Sequence, residues 1–411
     1  MITRREFLGT SLGAGAALAL TPELLRALQQ TAGKLVQRAI PSSGEMLPVI
    51  GLQFGNPPPP DHAALKEVLK TLLDNGGRFL DAVHQSPAAE EVTATIATEL
   101  GVQDKIFWSS RASPAGPPQP GPTDAAAKAQ MERALAKFKV AKLDLVLMNP
   151  MADPGHLAAL KEMKKAGRVR YIGMQVIDDR QYAGLEAVMR NEPIDFIGID
   201  YSIGNRAVEQ TILPLAQERK IGVVAYFPFD AGGLFQRVGT TPLPAWAADF
   251  DARTWAQFFV KYVISHPAVT VARVGTTKAT HMLDNMGGGI GQLPNEATRK
   301  RMAAFIDALP ALPPLPQNPA AAPGIALPVA ILDRYVGEYK AASGFTAIFR
   351  REGDKLLVKP GNNPEVPLNA RSETRFQDPR GPFFEFQLDG QGKVTGAVLE
   401  QGTQRTPLAR K

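Results

Sequence analysis

The sequence predicts a (β/α)8 barrel followed by a small antiparallel all-β domain. Three observations carry that prediction. Short apolar runs alternate with helix-patterned stretches across residues 34–307. A charge-free Pro/Ala stretch interrupts the chain at 308–328, and from 329 to 411 the pattern changes to short strands separated by polar turns. At 411 residues the chain also exceeds the ~150 to 250 residues of a single domain, so two folded units with a connector are expected.

Taken in order, Leu47 to Gly55 reads as the first strand. Asp61 then caps a helix running to about Asn75, on which Leu65, Val68, Leu69 and Leu72 share one face. The apolar runs Arg78 to Val83, Ile106 to Ala112, Leu143 to Asn149, Val169 to Val176, Phe196 to Ser202, Gly222 to Phe229 and Val269 to Gly275 follow, each trailed by a helical pattern. Strands apolar on both faces and joined by helices belong to a buried parallel sheet. Eight such units in roughly 260 residues suit a closed barrel, with a doubly wound open sheet as the alternative. The Pro/Ala stretch has the composition of a polyproline II connector. Beyond it, Thr346 to Arg350, the turn Glu352-Gly353-Asp354 and Lys355 to Lys359 form one hairpin pattern. Phe383 to Leu388, the turn Asp389 to Gly392 and Val394 to Glu400 form a second.

Composition narrows the function. A hydrophobic fraction of 44% with 21% charged residues provides for a sizeable core. The net charge is +6, but no Lys/Arg run is interleaved with aromatics, so nucleic acid is not an expected partner. The absence of cysteine excludes disulfides, thiolate nucleophiles and Cys-ligated metals. Chemistry must come from oxygen and nitrogen groups or a bound cofactor, and no metal is expected. In residues 1–30, Thr3-Arg4-Arg5-Glu6-Phe7-Leu8 precedes a Gly/Ala-rich apolar run from Gly9 to Leu20 and resembles a twin-arginine export signal. That run is too short and small-sided for a stable membrane span. The resemblance implies a periplasmic or otherwise exported protein that folds before export, in a compartment without a reduced nicotinamide pool.

The segments GGRFLDAVHQSPAAEE, IFWSSRAS, LDLVLMNP and VGTTKATHMLDN resemble the aldo-keto reductase family. In that family a nicotinamide delivers hydride to a carbonyl while a Tyr hydroxyl donates the proton, with a neighbouring Asp, Lys and His tuning the reaction. The resemblance places the Asp at Asp81, the Tyr at Ser86, the Lys at Arg111 and the His at Asn149. Only the first is kept. A serine hydroxyl has a far higher pKa than a phenol and a shorter reach. His84, with an ordinary pKa of ~6.5, is the one nearby group suited to stand in for it, although loop histidines at a rim are commonly just solvated. Asp81 and Arg111 can also pair simply as a buried ion pair.

The same resemblance gives the cofactor positions for NADP or NAD. The Ser-Asn pair that grips the nicotinamide becomes Gln175 and Val176, and the Gln on the sixth strand becomes Gly198. Tyr226 keeps the aromatic that stacks on the ring. Loss of hydrogen bonds at ~1 kcal/mol each weakens the grip. The phosphate-binding half is better kept, with Gly232 in DAGGL and Gly275, Thr276, Thr277 and Lys278 after the eighth strand, followed by Asn285. His281 takes the place of a basic residue. The Pro-rich loop from Ser113 to Pro122 and the segment from Phe235 to Asp251 with Trp246 are candidate lids. The other segments, LDRYVGEYK, ETRF and GKVTGAVLEQ, are similar to the lipocalin-like β-domain appended to some bacterial serine hydrolases of the β-lactamase type. Three readings follow: an oxidoreductase with a surrogate acid, an exported barrel inactive as a carbonyl reductase that keeps a small-molecule pocket, and a structural or assembly role.

Overall fold

The computed structural model describes residues 33–54, 62–82, 87–112, 123–148, 154–310, 324–341, 345–361, 365–378, 382–401 and 404–411. The chain divides into two compact units on either side of 311/312.

The first unit opens with a hairpin, β1 (Gln37–Ala39) and β2 (Met46–Pro48), in antiparallel register. Parallel strands follow: β3 (Ile50–Gln53), β4 (Phe79–Asp81), β5 (Phe107–Arg111), β6 (Leu143–Met148), β7 (Val169–Val176), β8 (Phe196–Asp200), β9 (Gly222–Tyr226) and β10 (Val271–Gly275). Each pairs with the next, and β10 pairs with both β9 and β3, so the sheet closes into a barrel. Closure rules out the open-sheet alternative. The outer ring comprises α1 (His62–Asp74), α2 (Pro87–Leu100), α3 (Thr123–Phe138), α4 (Pro154–Lys165), α5 (Tyr182–Asn191), α6 (Ile212–Glu218), α7 (Gly233–Val238), α8 (Trp255–Ile264), α9 (Ala279–Gly288) and α10 (Glu296–Asp307). On α1 the buried residues are Leu65, Val68, Leu69 and Leu72, the stripe that a 3.6-residue period places against the sheet. Its expected cap, Asp61, lies outside the described residues.

The run Leu47 to Gly55, expected as one strand, is two. Pro48 has no N–H to continue a ladder, and the chain passes there from the hairpin into the barrel. The hairpin plugs the amino-terminal end of the barrel with fully buried Ile40 and Leu47. Glu45 anchors it by accepting hydrogen bonds from Arg78, just before β4, and from Arg170 and Tyr171 on β7. Above the plug the interior is aromatic: Phe79 stacks on Phe107 at 5.6 Å, Phe107 on Tyr171 at 6.0 Å, and Tyr171 meets Phe196 edge-on at 5.6 Å.

Among its described residues the second unit is all-β apart from α11 (Val329–Tyr335). Its strands are β11 (Gly337–Lys340), β12 (Thr346–Glu352), β13 (Lys355–Pro360), β14 (Val366–Pro367), β15 (Asn369–Ala370), β16 (Arg375–Gln377), β17 (Phe383–Leu388), β18 (Val394–Gln401) and β19 (Gln404–Arg410). They form one antiparallel sheet ordered β14-β13-β12-β11-β19-β18-β17-β16-β15. The two edge strands are separated in sequence by Leu368 alone, so the sheet curls until its edges meet in one continuous segment. Tyr335, Tyr339, Phe349, Phe376, Phe384 and Phe386 fill its interior, with Tyr335 stacked on Phe386 at 4.2 Å.

Candidate functional site

A two-residue period along each barrel strand sends alternate side chains inward. Because Phe79, Phe107, Tyr171, Phe196, Val224 and Val271 belong to the interior cluster, the residues two or four positions onward share their face. These are Asp81, Ser109 and Arg111, Gly173 and Gln175, Gly198 and Asp200, Tyr226, and Arg273. The polar ones converge at the carboxyl end of the barrel, opposite the plug. His84, Ser86 and Asn149 lie outside the described residues.

Asp81 is fully buried at the centre of this layer. Its Oδ2 lies 3.8 Å from Nη2 of Arg111 and 3.4 Å from Nε of Arg273. Neither contact has hydrogen-bond geometry, and both carboxylate oxygens, the Ser109 hydroxyl and the Nε atoms of both arginines are buried without a hydrogen-bond partner. The expected Asp81–Arg111 ion pair is present but without a hydrogen bond, and a second guanidinium, that of Arg273, shares the carboxylate. Sequence reading missed Arg273. The signal was available: it is a charged residue in the apolar run VTVARVG, on the inward phase set by Val271.

Tyr226 is wholly buried rather than presented at the rim. The Arg273 guanidinium lies 4.2 Å from its ring centroid and that of Arg111 lies 5.6 Å away. Gly198 makes this possible, since a Cβ there would stand 2.5 Å from the tyrosine ring. Burial, followed by the Asp81 charge, raises the Tyr226 pKa above the usual phenol value, against the two arginines. Gln175, on the neighbouring β7, has its side-chain oxygen buried without a partner. Val176 points into the sheet–helix layer.

Around β7, β8 and β9 the rim is acidic. A cavity of about 460 Å³ is lined by Ile177, Asp178, Asp179, Tyr182, Asn205 and Ala207. Asp200 accepts from Asn205 Nδ2 at 3.1 Å, and burial, reinforced by Asp230, pushes its carboxyl up to about 6. The turn after β9 is strained, with Phe227, Asp230 and Ala231 all at φ near +50° before Gly232 at +96°. Thr276 is buried with its hydroxyl accepting from Lys278 N at 3.1 Å; Gly275 and Lys278 are exposed and Thr277 is half-buried. Asn285 is 3% exposed within α9. Partial burial and then the Lys278 cation hold His281 below its usual pKa. Of the expected lids, 113–122 lies outside the described residues. Trp246 is anchored against Phe250, Phe258 and Phe305 with Arg301 over its ring at 4.2 Å, which ties 235–251 to the helical wall.

No group of three or more His, Cys, Asp or Glu positioned to hold a metal occurs among the described residues. No described helix is long and apolar enough to cross a membrane.

A closed eight-stranded parallel barrel, plugged at its amino-terminal end and lined with polar groups at the other, defines a (β/α)8 protein whose candidate site lies at the carboxyl end of the strands. Residues 50–300 match the model of the aldo/keto reductase family, and the chain belongs to that family. An uncharacterised oxidoreductase of Bacillus subtilis is 26% identical over 163 residues, which are 36% of this chain and 53% of that protein. The chain thus spans about half the length of that curated relative. Among solved structures, the holo form of an aldo-keto reductase from Bacillus halodurans superposes with a TM-score of 0.54 at 18% identity, covering 66% of this chain and 96% of its own. An aldo-keto reductase from Klebsiella pneumoniae in complex with NADPH does so at 0.53 and 20%, covering 69% and 98%. At these identities the likeness speaks for the fold.

Proposed function

We propose that this is an exported aldo-keto-reductase-like protein, inactive as a carbonyl reductase, that keeps a small-molecule pocket at the barrel mouth. The observation that carries the reading is Asp81 buried between Arg111 and Arg273, with Tyr226 folded in beside them over Gly198. Carbonyl reduction needs a proton donor of suitable pKa at the reacting oxygen. Tyr226 does not qualify, because burial raises its pKa and the Arg273 guanidinium covers its ring. The family's cofactor also fits poorly. Gly198 offers no side-chain amide, Tyr226 is buried with the Arg273 guanidinium over its ring, and Asp200 and Asp230 bring negative charge to the rim. Lys278 remains for an adenosine phosphate, but a His281 favoured in its neutral form contributes little.

The twin-arginine segment supports export after folding, and the curled sheet with an aromatic interior supports the lipocalin-like reading of the second unit. A second reading is an NAD(P)-dependent oxidoreductase acting on a small carbonyl or alcohol with His84 as surrogate acid. Family membership and the relative named as an oxidoreductase favour it. Titrating the purified protein with NADP and NAD, followed by tryptophan fluorescence, separates the two. The first reading expects no saturation at micromolar nucleotide and no NADPH consumption with aldehydes, and either effect would overturn it.

A further inference from the structure

We infer that the barrel mouth is an anion site for the carboxylate of a small organic acid, gripped by the guanidinium groups of Arg273 and Arg111. The inference rests on the binding-protein reading above and specifies its ligand class. Arg273 is 6% exposed and comes from β10, whereas Arg111 reaches the same point from β5. The Nε of each is buried without a hydrogen-bond partner, although Asp81 Oδ2 lies 3.4 Å from Arg273 Nε and 3.8 Å from Arg111 Nη2. A structural ion pair would close those bonds. Here one carboxylate faces two cations, Arg273 buried and Arg111 with 23% of its side chain exposed, so one positive charge is left over for an anion to complete.

The donors are also preorganised. Stacking on Tyr226 fixes the plane of Arg273, and Arg111 lies over the same ring. With its pKa raised, the Tyr226 hydroxyl stays protonated and is a further donor. Planar forks of this kind match a carboxylate two bonds at a time. The single excess charge favours a monoanion; a phosphate dianion would leave the site net negative beside Asp200 and Asp230.

The test is isothermal titration of the full chain with benzoate, its neutral isostere benzamide, and inorganic phosphate. The inference expects benzoate to bind and the other two to bind at least about tenfold more weakly. Arg273→Lys and Arg111→Lys keep the charge balance around Asp81 but remove a fork, and each should weaken benzoate about tenfold. Asp81→Asn removes the competing carboxylate and should tighten it. Absence of benzoate binding, benzamide or phosphate binding equal to benzoate, or full affinity in both lysine variants overturns the anion site. Equal benzamide binding would do so while leaving a ligand pocket intact, whereas NADPH-dependent aldehyde turnover would sink the underlying reading whatever benzoate does.

Discussion

At the scale of single residues, the mouth of this barrel is decided by three neighbours. Gly198 leaves a space, Tyr226 fills it, and Arg273 lies on the tyrosine. Gly198→Ala puts a methyl 2.5 Å from the ring, so the tyrosine must move or the strand must shift. Urea unfolding should show a loss of about 1–3 kcal/mol, the usual cost of overpacking. Arg273→Met has a different expected cost. It removes the excess cation and leaves Asp81 its Arg111 contact at 3.8 Å, so the loss should fall short of the roughly 3–5 kcal/mol that a buried charge stripped of every partner costs. The same neighbours explain why rebuilding the family's residues should fail. The combination Ser86→Tyr, Arg111→Lys and Asn149→His supplies the family's acid and its tuners but leaves Tyr226 buried under Arg273 and over Gly198. A spectrophotometric assay with NADPH and an aldehyde is expected to register no turnover in that triple variant.

At the scale of elements, two tertiary anchors make predictions of their own. Asp284 on α9 accepts hydrogen bonds from Thr254 Oγ1 and Gln257 Nε2, both at 2.9 Å, and so ties α9 to the start of α8. Burial outweighs those bonds and pushes its pKa up to about 6. In the unfolded chain the proton leaves near pH 4. The raised folded value means that its stabilising contribution is complete below pH 4 and is lost as pH rises through 6, by at most roughly 3 kcal/mol. Asp200 contributes in the same direction. Asp284→Asn keeps an oxygen to accept both bonds, so urea midpoints across that window should fall less steeply than in the parent protein. The second anchor is Glu45. Although burial opposes it, hydrogen bonds from Arg78 and Tyr171 and the charge of Arg170 lower its pKa. Glu45→Gln should release the plug hairpin, and hydrogen exchange at residues 37–48 is the measurement that detects it.

At the scale of the whole molecule, each unit has a core drawn only from its own residues. Produced separately, residues 33–311 and 312–411 are each expected to unfold in one cooperative calorimetric transition. The export proposed above makes a separate prediction for the intact chain. Replacing both Arg4 and Arg5 by Lys removes the paired guanidiniums of the signal, and cell fractionation should then find the protein retained inside.

The alternation of apolar runs with helical stripes was enough to specify eight strand–helix units, since only a parallel sheet covered on both faces needs strands without polar sides. The change of period after the Pro/Ala stretch likewise announced a different kind of sheet. The family resemblance singled out Asp81, Arg111 and Gln175, and the strand phase set by Phe79, Phe107 and Tyr171 puts all three on inward faces. The sequence favoured a closed barrel over an open sheet, but it could not reveal that Pro48 divides the first run, or that Arg273 from the last strand meets Asp81 from the second. Those outcomes depend on pairings between residues far apart in the chain. Whether a buried charge has a partner is a property of the space around it, and folding alone determines that space.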